Sequence, residues 1–191
     1  EIVEPEKQTP APAGRVGEIW VAGKHNGRGY WQREDETVAA FHNTLSEDNE
    51  TRFLATGDLG TKIDGELYVV GRVKDLVIVG GQNHFPADIE NTVTGLVAAV
   101  RPGGVAAFAV DQEDEERLVI AAEVDRKAMR GLDIETLRAE IVKIVAKHHA
   151  LTPAAVILLR PGGVPKTSSG KVRRLECRRL FESGAMRDTV S

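Results

Sequence analysis

Lys171 ends the run Pro-Lys-Thr-Ser-Ser-Gly-Lys at residues 165–171, a long cationic side chain behind hydroxyl residues and a glycine. Carried on what reads as mobile backbone, such a group suits chemistry that brings two anions together, because one positive charge touching both lowers their repulsion. A phosphate-binding loop also ends in glycine and lysine, but it requires glycine where Pro165 stands and serine or threonine where Val172 stands, so the spacing fails. Asp58 is a second candidate. It follows Thr56-Gly57 at the end of an apolar run, where a carboxylate with both oxygens exposed could accept hydrogen bonds from two neighbouring hydroxyls; a turn-forming aspartate is the plainer alternative. Arg72, Lys74 and Asp75 then set three charges in a four-residue window between the apolar runs 67–70 and 76–79. Two buried strands about a charged break is the pattern of a hinge, although a solvated loop accounts for the same residues.

Those residues must be held by elements, and the pattern of elements changes at the charged break. Before it the chain is mainly strands: residues 1–3, 17–22, 53–55 and 67–70 are apolar and β-prone, Asp64-Gly65 reads as a hairpin turn, and the spacing of Thr37, Val38, Phe41 and Leu45 predicts one short helix. After it, Gly80-Gly81 allows backbone angles closed to other residues, and Pro86 fits the first turn of a helix over 86–100. Strands over 105–110 and 118–124, a helix carrying Ile134, Leu137, Ile141, Ile144, Val145 and His148, a strand over 156–159 and a helix over 172–181 complete the pattern. The fold class is α+β, with a strand-rich piece over residues 1–73 and a compact domain over 74–191. Arg-Pro-Gly-Gly-Val occurs at both 101–105 and 160–164 and reads as a turn each time.

Composition excludes more than it assigns. A net charge of -4, from 25 basic and 29 acidic residues, argues against nucleic acid or an anionic membrane as the main partner. Cys177 stands alone, which suits a reducing, cytoplasmic setting, and no apolar run approaches the roughly 20 residues of a membrane span. The first residues lack the apolar core of a signal peptide and an initiator methionine, as expected of a piece of a longer protein.

Taken together, Gly-Glu-Ile-Trp-Val-Ala-Gly at 17–23, Gly-Tyr-Trp at 29–31, Thr-Gly-Asp-Leu-Gly at 56–60, Gly-Arg-Val-Lys-Asp at 71–75, Pro-Ala-Asp-Ile-Glu at 86–90 and the Lys171 run resemble, in order, the motifs of adenylate-forming enzymes. Residues 64–79 and the Gln-Asn-His-Phe-Pro run at 82–86 are most similar to the fatty acyl-AMP ligases within that superfamily. The resemblance implies a C-terminal lid domain over 74–191, preceded by the last β-rich subdomain of a large N-terminal body. It implies that Lys171 contacts both the attacking carboxylate and the α-phosphate of ATP, that Asp58 holds the ribose diol with Arg72 near the ribose or phosphate, and that the lid turns about Lys74. The turn of Gly80, Gly81, Gln82, Asn83 and His84 would line the path of the incoming thiol. The substrates implied are a fatty acid and ATP with Mg2+, and the acyl acceptor an acyl carrier protein or polyketide synthase. The magnesium ligands, phosphate loop, adenine pocket and acyl tunnel of such enzymes lie upstream of Glu1, so this chain alone is expected to be inert.

Two positions depart from the pattern: Ala55 stands where the superfamily often has arginine before Thr-Gly-Asp, and Gln82 where acyl-AMP ligases usually have arginine. An acyl-CoA synthetase, or a lid-like module kept only for docking, are the other readings. The acidic run 111–116 is expected to be a solvated loop between strands, and adjacent His148 and His149 offer no zinc-ligand spacing. The basic cluster Lys166, Lys171, Arg173, Arg174, Arg178 and Arg179 is expected to be a solvated helix face, with docking of an acidic carrier protein as the alternative.

Overall fold

The structure is a computed structural model and describes residues 1–112 and 115–190. The chain divides into two compact units, Glu1–Lys74 and Asp75–Ser191.

The first unit is an antiparallel sheet. Strands β1 (Ile2–Glu4), β2 (Thr9–Pro10), β3 (Gly17–Val21), β4 (Asn43–Leu45), β5 (Asp48–Ile63) and β6 (Glu66–Arg72) lie in the order β2-β1-β3-β5-β4, with β6 also on β5. Helix α1 (Glu34–Phe41) precedes β4 and buries no residue fully. Leu45, expected on that helix, instead lies in β4, because the helix is closed by the His42 N–H on the Val38 carbonyl. A small cluster of Val3, Trp20, Leu45 and Phe53 forms the core. β5 is far longer than its apolar stretch over 53–55 suggests. Its polar residues stay extended because β4, β3 and β6 take up its backbone groups along its length. β6 departs from the expected buried strand: Leu67, Tyr68 and Val69 are exposed, since β6 hydrogen-bonds to β5 alone and lies outside the core cluster.

The second unit is a three-stranded sheet covered on both faces. β7 (Val77–Val79) and β8 (Gln82–His84) form a hairpin, followed by α2 (Pro86–Leu96), β9 (Val100–Gln112), β10 (Glu115–Val124), α3 (Ile134–His149), β11 (Ala155–Leu159) and α4 (Arg174–Glu182). β10 is central, antiparallel to β9 and parallel to β11. Successive strand residues point to opposite faces, so Val105, Ala107 and Ala109 of β9 join Leu118, Ile120 and Ala122 of β10 in one core with Ile89, Val93, Leu137, Ile141 and Val145. Ala106, Phe108, Val110, Val119 and Ala121 turn the other way, onto Leu159, Val164, Cys177 and Met186. Asp133 caps α3 by accepting from the Glu135 and Thr136 N–H groups, and Ala150 ends it in the left-handed conformation.

Several boundaries differ from expectation. α2 stops at Leu96 rather than running on to Val100, which begins β9. The first Arg-Pro-Gly-Gly-Val copy is part of β9, whereas the second is a turn. The strands also run into the acidic stretch: Asp111 and Gln112 belong to β9 and Glu115 and Glu116 to β10, where a loop was expected; Glu113 and Asp114, also in that expected loop, lie outside the described residues. Glu116 is not merely solvated, because its carboxylate accepts the Ile78 N–H at 2.7 Å and so ties β7 to β10.

Candidate functional site

Thr56, Gly57 and Asp58 form a bulge in β5. The register with β3 passes from Glu18 opposite Leu59 to Trp20 opposite Ala55, so four steps along β5 face two along β3. Gly57 takes φ +75, a backbone angle that favours glycine. Three side chains fix the bulge. Glu18 accepts the Gly57 N–H at 2.9 Å and the Trp20 indole N–H at 2.9 Å. Thr56 donates to the Ile19 carbonyl at 2.8 Å and accepts the Asp58 N–H at 3.1 Å. Asp58 is thereby aimed across the ladder at its register partner Arg72, whose Nε donates to Asp58 Oδ1 at 2.7 Å. Both side chains remain substantially exposed, at 40% for Asp58 and 62% for Arg72, and a salt bridge this wet contributes little to stability. One carboxylate oxygen is engaged, where the sequence suggested two exposed ones; Oδ2 has no partner among the described residues. The result is a preset acceptor with a guanidinium beside it, a chemistry suited to a hydroxyl-rich, anionic ligand. Glu18 escaped the sequence reading, although its position two residues before Trp20 puts both on one face of β3.

The Lys171 segment folds into a hydrogen-bonded turn. Thr167 N–H donates to the Lys171 carbonyl at 2.8 Å, Lys171 N–H donates to Thr167 Oγ1 at 3.0 Å, and Gly170 N–H to the Thr167 carbonyl at 2.9 Å. Lys166 pairs with Val172 in a short bridge, which takes Val172 out of the expected helix and starts α4 at Arg174. The hydroxyl of Thr167 can satisfy the donor that the tight turn exposes, so the polar run folds on itself. Lys171 itself is exposed and makes no ion pair among the described residues.

Carboxylates anchor both flanks of that turn, one of them fully buried and the other partly so. Upstream, Glu123 at the end of β10 is fully buried, accepts the Val164 N–H at 3.0 Å and pairs with Arg101 Nη1 at 2.7 Å. The two Arg-Pro-Gly-Gly-Val copies therefore meet on one side chain, the first through its arginine and the second through its last N–H. Gly104 makes room for it, since a Cβ there would lie 2.8 Å from Glu123 Cβ. Downstream, Arg174 makes a two-pronged contact with Glu90, Nε to Oε1 and Nη2 to Oε2 at 2.7 Å each, and reaches Asp75 Oδ2 with Nη1 at 2.8 Å. Glu90 also accepts the Ala107 N–H at 3.0 Å. The Glu90 hydrogen bonds raise the pKa of Arg174 above its already high value, against the opposing effect of burial.

Lys74 sits in the middle of a single 3-10 turn, Val73–Asp75, and is the last residue of the first unit. Gly80 and Gly81 form the two-residue turn between β7 and β8, with φ of +59 and +74; positive φ at both centres matches the right-handed twist of the flanking strands. Gln82, Asn83 and His84 are consequently strand residues opposite Val79, Ile78 and Val77, where the sequence suggested a turn. Asp58 and Arg72 lie in the first unit, Lys171 and the 80–84 hairpin in the second. A surface groove of about 490 Å³ lined by Arg28, Tyr30, Arg33, Thr37 and His42 contains none of the predicted site residues.

The basic cluster carries less free charge than its sequence suggests. Besides Arg174, Arg178 pairs with Asp111 and Glu182, and Arg179 with Glu176. Burial pushes the Cys177 thiol, on the inner face of α4, up to about 11. No group of three or more metal-ligating side chains is found, and no helix is long and apolar enough to cross a membrane, both among the described residues.

Residues 74–189, more than half of the chain, match the family described as Disco-interacting protein 2-like, AMP domain. The chain belongs to that family. Beyond this AMP domain, the likeness runs through both units. The medium-chain fatty acid–acyl-carrier-protein ligase JamA of Moorena producens is 42% identical over 97% of this chain and 31% of its own length. The long-chain fatty acid–AMP ligase FadD32 of Mycolicibacterium smegmatis is 38% identical over 97% of this chain and 34% of its own. A solved structure from work on fatty acyl-adenylate ligases of E. coli and L. pneumophila superposes with a TM-score of 0.72 at 29% identity, covering 96% of this chain and 30% of that one. The fold is thus that of adenylate-forming enzymes, and the AMP-domain chain spans about a third of the length of the curated relatives it matches.

Proposed function

We propose that this chain is the C-terminal part of a fatty acyl-AMP ligase, with residues 1–73 closing a large N-terminal body and residues 74–191 forming the lid that carries Lys171. The parent protein activates a fatty acid with ATP and Mg2+ to an acyl-adenylate and pyrophosphate, then passes the acyl group to the thiol of a carrier protein, in the cytoplasm. The observation that carries this proposal is Lys171: among the described residues it stands exposed and unpaired on an ordered turn, while every arginine of α4 is committed to a carboxylate. A cation kept free in this way is available to the carboxylate and α-phosphate oxygens as they approach, and it stabilises their meeting most where repulsion is greatest. Asp58 Oδ2 would accept from the ribose hydroxyls of ATP, with Arg72 supplying positive charge beside it. ATP would contribute the activated phosphoryl bond, and the magnesium ligands, which the resemblance places in the N-terminal body, would belong to the rest of the parent. Lys74, in its isolated 3-10 turn, is the pivot we assign to the lid, and the 80–84 hairpin the wall of the thiol path.

In the full-length protein, Lys171→Ala should lower fatty-acid-dependent ATP–pyrophosphate exchange by about 10²-fold or more, as loss of one preorganised charge contact does. An unchanged exchange rate would remove Lys171 from the mechanism. The acceptor is tested separately: given ATP, Mg2+ and a fatty acid, the parent should accumulate acyl-adenylate in the presence of coenzyme A and acylate only a holo carrier protein. Efficient acyl-CoA formation would instead make it an acyl-CoA synthetase.

A further inference from the structure

Lys171 is three residues before Arg174, and Arg174 grips two elements at once. Its guanidinium is mostly buried, with 22% of the side chain exposed; its carboxylate partners are similarly covered, at 12% for Glu90 and 20% for Asp75. Glu90 belongs to α2, whose first turn follows directly from the 80–84 hairpin, and Asp75 is the residue after Lys74. All five potential donors of an arginine are fixed in one plane, so a contact that uses Nε, Nη1 and Nη2 together fixes the orientation of the side chain and of the backbone that carries it. A lysine could satisfy only part of this arrangement. The turn backbone is itself closed from Thr167 to Lys171, and Arg173 N–H returns to the Pro165 carbonyl at 2.9 Å, so restraint at Arg174 passes to the turn as a whole. An ion triad this far covered is a poor device for stability alone, because partial desolvation consumes much of the Coulombic gain. It is a good device for specifying one geometry.

We propose that Arg174 is a positioning residue for Lys171. Through Glu90 and Asp75 it binds the Lys171 turn to α2 and to the residue after the joint, so that the lysine, the thiol-path hairpin and the distal side of the joint keep one mutual arrangement. The proposal rests on the reading that Lys171 contacts the reacting anions; Arg174 itself touches neither. Its role is to remove the freedom that would let a long side chain on a surface turn reach the wrong place.

The test is a double-mutant cycle in the full-length protein, read as single-turnover acyl-adenylate formation with ATP and a panel of saturated fatty acids. Lys171→Ala is measured first: if it leaves the rate unchanged, the catalytic reading fails, and this proposal with it. If Lys171→Ala slows the reaction, Arg174→Gln in the Lys171 background should lower the saturating single-turnover rate constant by on the order of 10²-fold with little change in the half-saturating concentration of either substrate, the size expected when a catalytic group is displaced by about 1 Å. In the Lys171→Ala background the same Arg174→Gln change should cost no more than about twofold, since there is no lysine left to position. Arg174→Lys should fall between the two. Should Arg174→Gln fail to fold, Asp75→Asn removes one arm of the contact and should give the same non-additive pattern at about tenfold. Equal losses in both Lys171 backgrounds, or a loss matched by the fall in active-site concentration, would make Arg174 a support of the fold only and overturn the proposal. No loss from Arg174→Gln would overturn it equally.

Discussion

Glu123 offers the sharpest check on how the second unit is held together, because its two bonds can be removed separately. The carboxylate is fully buried, whereas the Arg101 side chain that pairs with it is 44% exposed. Truncating the arginine leaves a buried charge without its counterion, and breaking a buried pair in this way costs about 3–5 kcal/mol. The Val164 N–H still reaches Glu123 at 3.0 Å, which places Arg101→Ala at the lower end, about 3 kcal/mol. Glu123→Gln acts from the other side. The amide keeps the shape against Gly104, can still accept from Val164, and leaves Arg101 free to take water, so only one charge-assisted hydrogen bond is lost, about 1.5 kcal/mol. Removing both charges together should therefore cost less than removing the arginine alone: Arg101→Ala with Glu123→Gln should lie close to the glutamine variant, not at the sum of the two. For a unit of this size the arginine variant should melt about 10 °C lower and the glutamine variant about 5 °C lower. Both tryptophans, Trp20 and Trp31, are in the first unit, so the transition should be followed by the circular dichroism of α2, α3 and α4, not by tryptophan fluorescence. An Arg101→Ala cost below about 1 kcal/mol, or a double variant worse than Arg101→Ala, would refute the account.

Two further outcomes follow from burial. Cys177 is fully buried with its thiol pushed up to about 11, so a thiol reagent at mildly alkaline pH should leave the native chain unmodified and take up one equivalent after unfolding; rapid labelling of native protein would mean that α4 opens readily. Burial also lowers the pKa of His149, opposed by Asp88 and assisted by His148 and His84, while its Nε2 lies 2.9 Å from Thr92 Oγ1. Its native value thus lies below the unfolded one, so the stability it contributes is complete above about pH 6.5 and is lost as the pH falls from there through the native value. His149→Gln should flatten that part of the melting-temperature profile, and an identical slope in the variant would exclude His149 as its source.

Much of the second unit could be read along the chain because its signals are local. Alternating β9 and β10 residues, the helical spacing from Leu137 to Val145, the glycine pair at 80–81 and Pro86 each report on a few neighbouring residues, and those neighbours decide the backbone. The type of Lys171 and its place after Gly170 were equally legible. The misreadings arise where a polar sequence is ordered by something distant. β5 extends through Asp48, Asn49 and Glu50 because partner strands take its hydrogen bonds, not because its side chains prefer a sheet. The Lys171 run looks like loose loop because its serines and threonine are solvent-compatible, yet Thr167 closes it. β6 reads as buried from Leu67, Tyr68 and Val69, although apolar type states only what a residue favours and not whether a neighbour is there to cover it.

The sequence by itself determined the α+β class, the ordered set of motifs and the place of Lys171 behind its hydroxyl-rich run, since these depend on residue type and short spacing. Only the tertiary structure decided which charges are spent and which remain free. Arg174, Arg178 and Arg179 look alike in sequence with Lys171, but Glu90 is 84 residues away from Arg174 and Asp111 is 67 from Arg178. Likewise, the two Arg-Pro-Gly-Gly-Val copies have no visible relation until Glu123 comes between them. The physical reason is that electrostatic pairing falls off with distance through space, whereas separation along the chain says nothing of that distance until the sheet has closed.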